Sequence, residues 1–241
     1  MRLKFLTLFF SFFVFFKGYA EDITIVTMEW PPFTDSKAPH KGTTTDIIVK
    51  AFKSQGVNAN VEFTNWTRAM MATEKGEYTA IFPAYYAKER ESTFYFSDKT
   101  SSIKVGFIKL KENKITYHFT GSNYNEVYDE FKKQNLKIGV IKSYINEDNF
   151  DNRKDLTKIE YGTETQALKA LLNKKIDVYF EDNVVYKEYL QRDFPEYKNS
   201  TEFLEPAILD KGLFLLFPKS QKNSEELKNK FNIGLKKVLS N

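Results

Sequence analysis

The feature that most constrains the fold is an alternation of strand-like and helix-like segments, which occurs in both halves of this 241-residue chain. In each half, a helix with one apolar face ends in a tight turn and is followed by a short buried strand. The predicted strands cover 23–27, 57–64, 79–82, 105–110, 136–141, 176–180 and 212–217, and the predicted helices lie around 47–52, 66–76, 167–172 and 227–238. This order favours an α/β protein with mostly parallel sheets in two similar lobes.

Two of the predicted helices are preceded by residues that commonly cap a helix N-terminus. Asn65 precedes Trp66 as a plausible N-cap. Thr163 and Gln166 have the spacing of a capping box, in which each side chain hydrogen-bonds to a backbone N–H near the other. We expect helices to begin directly after Asn65 and Thr163.

The first twenty residues differ in kind from the rest. Arg2 and Lys4 precede an apolar run over 5–16, and a small-x-small pattern ends at Ala20. This arrangement predicts a secretory signal peptide that is cleaved before Glu21. The alternative is an N-terminal membrane anchor, but the apolar run is short for a bilayer span. We expect the mature protein in the periplasm.

Composition narrows the class of protein further. The chain has no cysteine, which excludes disulfides and lipid attachment at a mature N-terminal cysteine. Without the three basic residues of the signal peptide, basic and acidic residues nearly balance and are interleaved. Nucleic-acid binding requires a basic stripe, so we expect no nucleic-acid partner.

Several catalytic patterns are missing. There is no G-x-S-x-G motif, no histidine and acid grouping with zinc spacing, and no glycine-rich phosphate loop. The two histidines, His40 and His118, stand in polar, loop-like stretches. The sequence therefore predicts neither a metal nor a cofactor.

Unusual residues cluster at the carboxyl ends of predicted strands, where parallel α/β sheets bind ligands. They are the loop 28–34 (MEWPPFT), the segment 83–90 and the pair Glu181-Asp182. If two lobes face each other, these ends line the cleft between them.

The candidate binding side chains each have a plain structural alternative. Arg90 can bind a carboxylate in bidentate fashion, or it can be a solvated charge among Lys88, Glu89 and Glu91. Asp182 can hold an ammonium group or cap a following helix. Trp66 can line a pocket or fill a core.

Taken in order, these pieces resemble the periplasmic solute-binding protein family 3, the polar amino-acid-binding proteins of ABC importers, in a divergent branch. The resemblance covers almost all of the chain after the signal peptide. It is carried by Trp30–Phe33, Gly42 with Asp46, "WTRA" from Trp66, Gly76 with Ala80, Glu89-Arg90 before "FYFSD" at 94–98, "IGV" at 138–140 and "DVYFED" at 177–182.

The resemblance implies a type II periplasmic-binding-protein fold: two α/β lobes, each with a mostly parallel sheet flanked by helices, joined by two crossover hinge strands. Lobe 1 would comprise 21–110 and 210–241, and lobe 2 would comprise 111–209. The crossovers are expected near 109–113 and 209–211, with the C-terminal helix packing back onto lobe 1. A hinge rotation would close the lobes around a solute.

Residue roles follow by position from the same resemblance. Arg90 would bind the α-carboxylate of the solute and Asp182 its α-ammonium. Trp30, Trp66 and Tyr144 match positions that often line the pocket.

The sequence also departs from the family pattern. Thr27 stands where many amino-acid binders have an aspartate, and Tyr85 lies where small hydroxyl residues are usual, which favours a more aromatic pocket. Glu29 would replace the missing charge if it points into the cleft. Arg68 would add a second anionic contact, or it faces solvent.

The implied function is capture of a small polar, amino-acid-like solute, and its delivery to an inner-membrane ABC permease by a monomer without enzymatic activity. Two other functions fit the same scaffold. One is a periplasmic enzyme of the cyclic-acid dehydratase kind, with Glu29 or Glu181 as general acid. The other is a stand-alone sensor that presents its liganded form to a membrane receptor.

Overall fold

A computed structural model describes residues 21–119 and 123–240 of the chain. The predicted signal peptide and its cleavage after Ala20 lie outside these residues. Among the helices described, none is long and apolar enough to cross a membrane.

Ten strands and seven α-helices make up the described ranges. The strands are β1 Glu21–Thr27, β2 Val57–Phe63, β3 Ala80–Tyr85, β4 Phe94–Phe96, β5 Ser101–Leu110, β6 Lys137–Ile141, β7 Thr157–Tyr161, β8 Val178–Asp182, β9 Thr201–Phe203 and β10 Leu209–Pro218. The helices are α1 Thr43–Lys53, α2 Trp66–Glu74, α3 Tyr124–Lys133, α4 Asp148–Asn152, α5 Glu164–Leu172, α6 Val185–Asp193 and α7 Ser224–Leu239.

The strands form one curled, mixed sheet in the order β2-β1-β3-β10-β5-β8-β6-β7, with β4 on β10 and β9 on β5. At one end β1 pairs in parallel with β2 and β3, and at the other end β6 pairs in parallel with β7 and β8. The pairs that involve β5 or β10 are antiparallel. The predicted α/β class, with parallel strands in each half, is confirmed.

Strands β5 and β10 connect the two parallel halves. Val105 in β5 pairs with Leu209 of β10 and with Asp182 of β8. Leu213 in β10 pairs with Ser101 of β5 and with Tyr85 of β3. The first half is thus joined to β10, β10 to β5, and β5 to the second half.

Each half has its own packed core. In the first half, the rings of Phe52, Phe217 and Phe231 meet at 5.0–6.3 Å, so that α7 packs against α1 and the sheet. In the second half, the ring of Phe107 lies 4.7 Å from that of Phe131 and 4.8 Å from that of Phe180. These clusters hold the helices to the sheet and leave the middle of the molecule for the site.

Both predicted helix starts are present. Asn65 Oδ1 accepts hydrogen bonds from the backbone N–H of Thr67 at 3.0 Å and of Arg68 at 3.4 Å. Thr163 Oγ1 accepts from the N–H of Gln166 at 3.3 Å, and Gln166 Oε1 accepts from the N–H of Gly162 at 3.1 Å. The capping box therefore reaches one residue further back than the sequence pattern predicts.

Replacing Gly234 by alanine tests the contact between α7 and α1. Alanine usually stabilises an open helix position by about 1 kcal/mol relative to glycine. Here an added Cβ would collide with the backbone carbonyl of Ala51, so we expect a loss of about 1–3 kcal/mol in the free energy of unfolding. Chemical denaturation measures it, with Lys237→Ala at an exposed position of α7 as control. A stabilised Gly234→Ala variant would contradict this packing.

Candidate ligand-binding site

A small cavity lies between the two halves of the molecule. The enclosed volume is about 20 Å³, which is room for about one water molecule. Aromatic side chains dominate the lining, which consists of Met28, Trp30, Trp66, Pro83, Ala84, Tyr85, Arg90, Tyr144 and Ile145. Five of the predicted binding residues therefore share one cavity.

Trp30 of the loop 28–34 (MEWPPFT) lines one side of the cavity. The backbone N–H of Trp30 donates to the carbonyl of Thr34 at 2.8 Å, and Thr34 Oγ1 donates to the carbonyl of Met28 at 2.8 Å. The loop is therefore closed on itself. The Trp30 ring packs 5.1 Å from the Phe33 ring and 6.2 Å from the Tyr85 ring, and it is only 2% exposed. Its Nε1 is buried and has no hydrogen-bond partner.

Arg90 brings a positive charge to the cavity. Its Nη1 donates to the carbonyl of Tyr85 at 3.3 Å, and its Cζ lies 5.8 Å from the centroid of the Trp66 ring. In the described ranges, the arginines within 4.0 Å of a carboxylate are Arg153 and Arg192, and Arg90 is not among them. Burial lowers the pKa of Arg90, but a guanidinium keeps its charge in proteins. The largely buried charge thus lacks an anion.

Three acidic side chains are buried in the second half of the molecule. Glu164, Glu181 and Asp182 are 6%, 3% and 0% exposed. The hydroxyl of Tyr144 donates to Glu164 Oε1 at 2.5 Å, and the hydroxyl of Tyr179 donates to Glu181 Oε2 at 2.9 Å. Burial and mutual repulsion raise the pKa of Glu181 well above its usual value, and burial raises the pKa of Glu164.

Asp182 has two different oxygens. Its Oδ1 accepts from the backbone N–H groups of Val184 and Val185, each at 2.8 Å, and so caps α6. Its Oδ2 is buried without a hydrogen-bond partner. Burial raises the pKa of Asp182 to about 6. The capping role is therefore present, and one oxygen remains for another group.

Tyr85 also lines the cavity. The pKa of its phenol is raised well above 10, first by burial and then by the charges of Glu181, Asp182 and Glu164. Among the lining residues Arg90 carries the one formal charge. Glu164 is linked to the cavity through Tyr144, which lines it and donates to this glutamate.

Three predicted residues are not part of the cavity lining: Asp182, Glu29 and Arg68. Glu29 is exposed, and its Oε2 accepts from the backbone N–H of Ser36 at 3.1 Å. It lines an open groove with Glu164, and this groove shares Met28, Trp66 and Tyr144 with the cavity. Arg68 is exposed beside a shallow depression next to Met71 and Lys75. Neither charge faces the aromatic cavity in this structure.

Sequence reasoning missed Glu164 and Lys211. Lys211 Nζ donates to the carbonyls of Ile145 at 3.4 Å and of Asn146, and it lies 4.6 Å from the centroid of the Tyr85 ring. Burial lowers its pKa to about 8. Glu164 lies between the two capping-box residues Thr163 and Gln166, and Lys211 is one of many scattered lysines. The sequence around each therefore gives no indication of a role at the site.

Direct contacts link the two halves. Thr67 Oγ1 donates to Ser143 Oγ at 3.1 Å, and the hydroxyl of Tyr189 donates to the carbonyl of Glu29 at 2.9 Å. The hydroxyl of Tyr144 lies 3.2 Å from Met28 Sδ. Beside these contacts, the groove lined by Glu29 and Glu164 leaves about 690 Å³ of open space between the halves. Within 21–119 and 123–240, no group of three or more His, Cys, Asp or Glu side chains could hold a metal ion.

Comparison with solved structures defines the class of protein. ArtJ from Geobacillus stearothermophilus, an arginine-, lysine- and histidine-binding protein, is 18% identical, with a TM-score of 0.72 over 91% of this chain and 90% of ArtJ. The GluR0 ligand-binding core from Nostoc punctiforme in complex with L-glutamate is 15% identical, with a TM-score of 0.71 over 90% and 93%. Holo ArgBP from T. maritima is 12% identical, with a TM-score of 0.73 over 90% of each chain. The chain has the type II periplasmic-binding-protein fold.

The family is also defined. Residues 23–241 match the model of the bacterial extracellular solute-binding proteins, family 3, and the chain belongs to that family. The predicted family is thereby confirmed. No curated protein matches the sequence.

The raised pKa of Asp182 predicts a pH dependence of stability. Its folded pKa of about 6 exceeds its ordinary value of 3.8, so the folded state holds more protons between these two values and becomes less stable as the pH rises through them. The loss at neutral pH is about 3 kcal/mol. In the ligand-free protein, Asp182→Asn should therefore increase stability at pH 7 and change it little at pH 3.5.

Urea unfolding at both pH values measures the effect, with Asp210→Asn at an exposed position of β10 as control. If Asp182→Asn changed the free energy of unfolding equally at both pH values, the carboxylate of Asp182 could not be buried with an unpaired oxygen.

Proposed function

We propose that this protein is a periplasmic solute-binding protein that captures a small polar, amino-acid-like ligand and delivers it to an ABC importer. The observation that carries the proposal is the partly buried guanidinium of Arg90, which lines an aromatic cavity and has no carboxylate partner. The buried Oδ2 of Asp182 also lacks a partner. A zwitterion would satisfy both groups at once. The family and the compared structures consist of solute- and amino-acid-binding proteins, which supports the proposal.

In this proposal Arg90 binds the α-carboxylate and Asp182 Oδ2 binds the α-ammonium. Hydrogen bonds to charged groups contribute about 1.5–3 kcal/mol each. Trp30 Nε1, buried without a partner, would donate a further hydrogen bond to the ligand. Trp66, Tyr85 and Tyr144 enclose it, and a cation over these rings gains about 2 kcal/mol when desolvated.

The lobes must separate before a ligand enters, because the closed cavity has room for about one water. We propose lobe 1 as 21–110 with 210–241 and lobe 2 as 111–209, turning about β5 and β10. These two strands pair with each other, and they join β3 of the first half to β8 of the second. The contact of Tyr144 with Met28 would break on opening.

One observation favours a second function. Glu181 is buried beside the cavity with a raised pKa, as a general acid requires. Turnover of a cyclic acid such as prephenate by the purified protein, lost in Glu181→Gln, would support an enzyme. We favour the binding protein because the family and the compared structures are solute-binding proteins, and because Glu181 is not among the residues that line the cavity.

A thermal-shift screen with the twenty amino acids and small organic acids tests the proposal. At least one ligand should raise the melting temperature of the chain from Glu21 onward, because ligand that binds only the folded state stabilises it. Arg90→Met should weaken that ligand about 10- to 100-fold, the equivalent of one charge-assisted bond.

Arg68→Met is the matched control, since Arg68 is an exposed arginine outside the cavity. It should bind like the unaltered protein. A complete absence of thermal shift, or an equal loss in both variants, would contradict the proposal.

A further inference from the structure

Lys211 is a partly buried cation on β10 that makes none of the proposed ligand contacts. It pairs with Ile103 of β5, in the part of the sheet that joins the two halves. Side chains alternate between the faces of a strand, so Lys211 shares a face with Leu213, which is fully buried. Its side chain is therefore on the interior face of the strand.

The amine of Lys211 reaches a segment of the second half. Nζ donates to the carbonyl of Ile145 at 3.4 Å and to that of Asn146, and it lies 4.6 Å from the centroid of the Tyr85 ring. Tyr85 lines the cavity from the first half and Ile145 lines it from the second. One side chain thus contacts lining residues of both halves.

We propose that Lys211 is a positioning residue of the binding site: as a cation it holds the segment 144–146 against Tyr85, so that Tyr144 and Ile145 keep their places in the cavity lining. This inference rests on the proposed function, since it concerns affinity for the ligand of that cavity.

The segment 144–146 follows β6 and belongs to no helix or strand. Within the second half, the N–H and side-chain amide of Asn146 donate to the carboxylate of Asp151 at 2.9 and 2.8 Å, and the hydroxyl of Tyr144 donates to Glu164. These bonds anchor the segment to its own half, and Lys211 joins it to the central strands. A lining segment that must be ordered on binding costs affinity, so this tie favours the ligand.

The charge of Lys211 has no carboxylate in direct contact. In the described ranges, the lysines within 4.0 Å of a carboxylate oxygen are Lys50, Lys109, Lys132, Lys174, Lys228, Lys230 and Lys236. Lys211 is not among them. Its ammonium is instead held by two backbone carbonyls and the face of an aromatic ring.

The proton of Lys211 is consequently held weakly. Burial is the largest effect and lowers the pKa of Lys211 to about 8. Arg90 opposes the charge as well, whereas Glu147, Asp148 and Asp151 at α4 favour it. A neutral amine is a weaker donor than an ammonium group, so the tie to the segment weakens as the pH rises through 8.

Arg90 links this tie to the ligand. A carboxylate bound to Arg90 would offset the repulsion between Arg90 and Lys211 and so raise the pKa of Lys211. The liganded protein then holds more protons than the free protein near pH 8. Affinity should therefore fall as the pH rises from 7 to 9.

Calorimetric titration with a ligand found by thermal shift tests the inference in Lys211→Met, Lys211→Arg and the control Lys104→Met, an exposed lysine of the neighbouring strand β5. At pH 7, Lys211→Met should weaken binding about tenfold, the equivalent of one charge-assisted bond. Lys211→Arg, which keeps a charged donor, should retain most of the affinity.

Between pH 7 and pH 9, the unaltered protein and Lys104→Met should lose about three- to tenfold more affinity than Lys211→Arg, because arginine does not titrate in this range. Titration of the ligand itself is common to all variants and cancels in this comparison.

The ligand-free protein gives a separate readout. The ring of Trp66 lies 6.4 Å from that of Tyr144, so a shift of the segment 144–146 alters the surroundings of one of the two tryptophans. Tryptophan emission should change between pH 7 and pH 9 with a midpoint near 8, the pKa of Lys211. The change should be absent from both Lys211 variants and present in Lys104→Met.

The inference is overturned if Lys211→Met binds the ligand like Lys104→Met, or if the change in emission persists in both Lys211 variants. If no amino acid or organic acid binds, the proposed function fails, and the emission titration still decides whether Lys211 holds the segment in place.

Discussion

The structure depends on the antiparallel pairing of β5 with β10. These strands lie in the middle of the sheet, where β10 pairs with β3 of the first half and β5 pairs with β8 of the second. Tyr85 at the end of β3 pairs with Leu213 of β10, and Asp182 at the end of β8 pairs with Val105 of β5. One short stretch of ladder therefore holds Tyr85 of the cavity lining and the buried Asp182 in the same part of the molecule. Any rotation of the halves must act through this stretch.

The charge pattern around the cavity follows from this arrangement. The first half contributes Arg90 and Trp30 to the lining. The second half contains the buried acids Glu164, Glu181 and Asp182, and Glu164 is linked to the cavity through Tyr144. Each buried charge costs solvation energy that the protein alone does not recover. A ligand with complementary charges would offset this lost solvation energy. The buried charged groups that destabilise the ligand-free protein would therefore favour ligand binding.

Much of the fold could be predicted from the sequence because the signals are local. Asn65 caps α2 through its own side chain, and the alternation of apolar residues defines the strands. Arg90 and Trp30 were recognised by motif. The burial of Glu164 could not be predicted, because it depends on Tyr144, twenty residues away, and on other elements packed around it. The outward position of Arg68 likewise depends on which face of α2 meets the sheet.

The central claim is that the ligand binds in the aromatic cavity between the halves, and tryptophan fluorescence tests it most directly. The sequence contains two tryptophans, Trp30 and Trp66, and both line the cavity. Titration with a ligand found by thermal shift should change their emission in a saturable way, with the midpoint that calorimetry gives. In Arg90→Met the midpoint should move to higher concentration. Heat of binding without any change in tryptophan emission would contradict the account, since the ligand would then bind elsewhere.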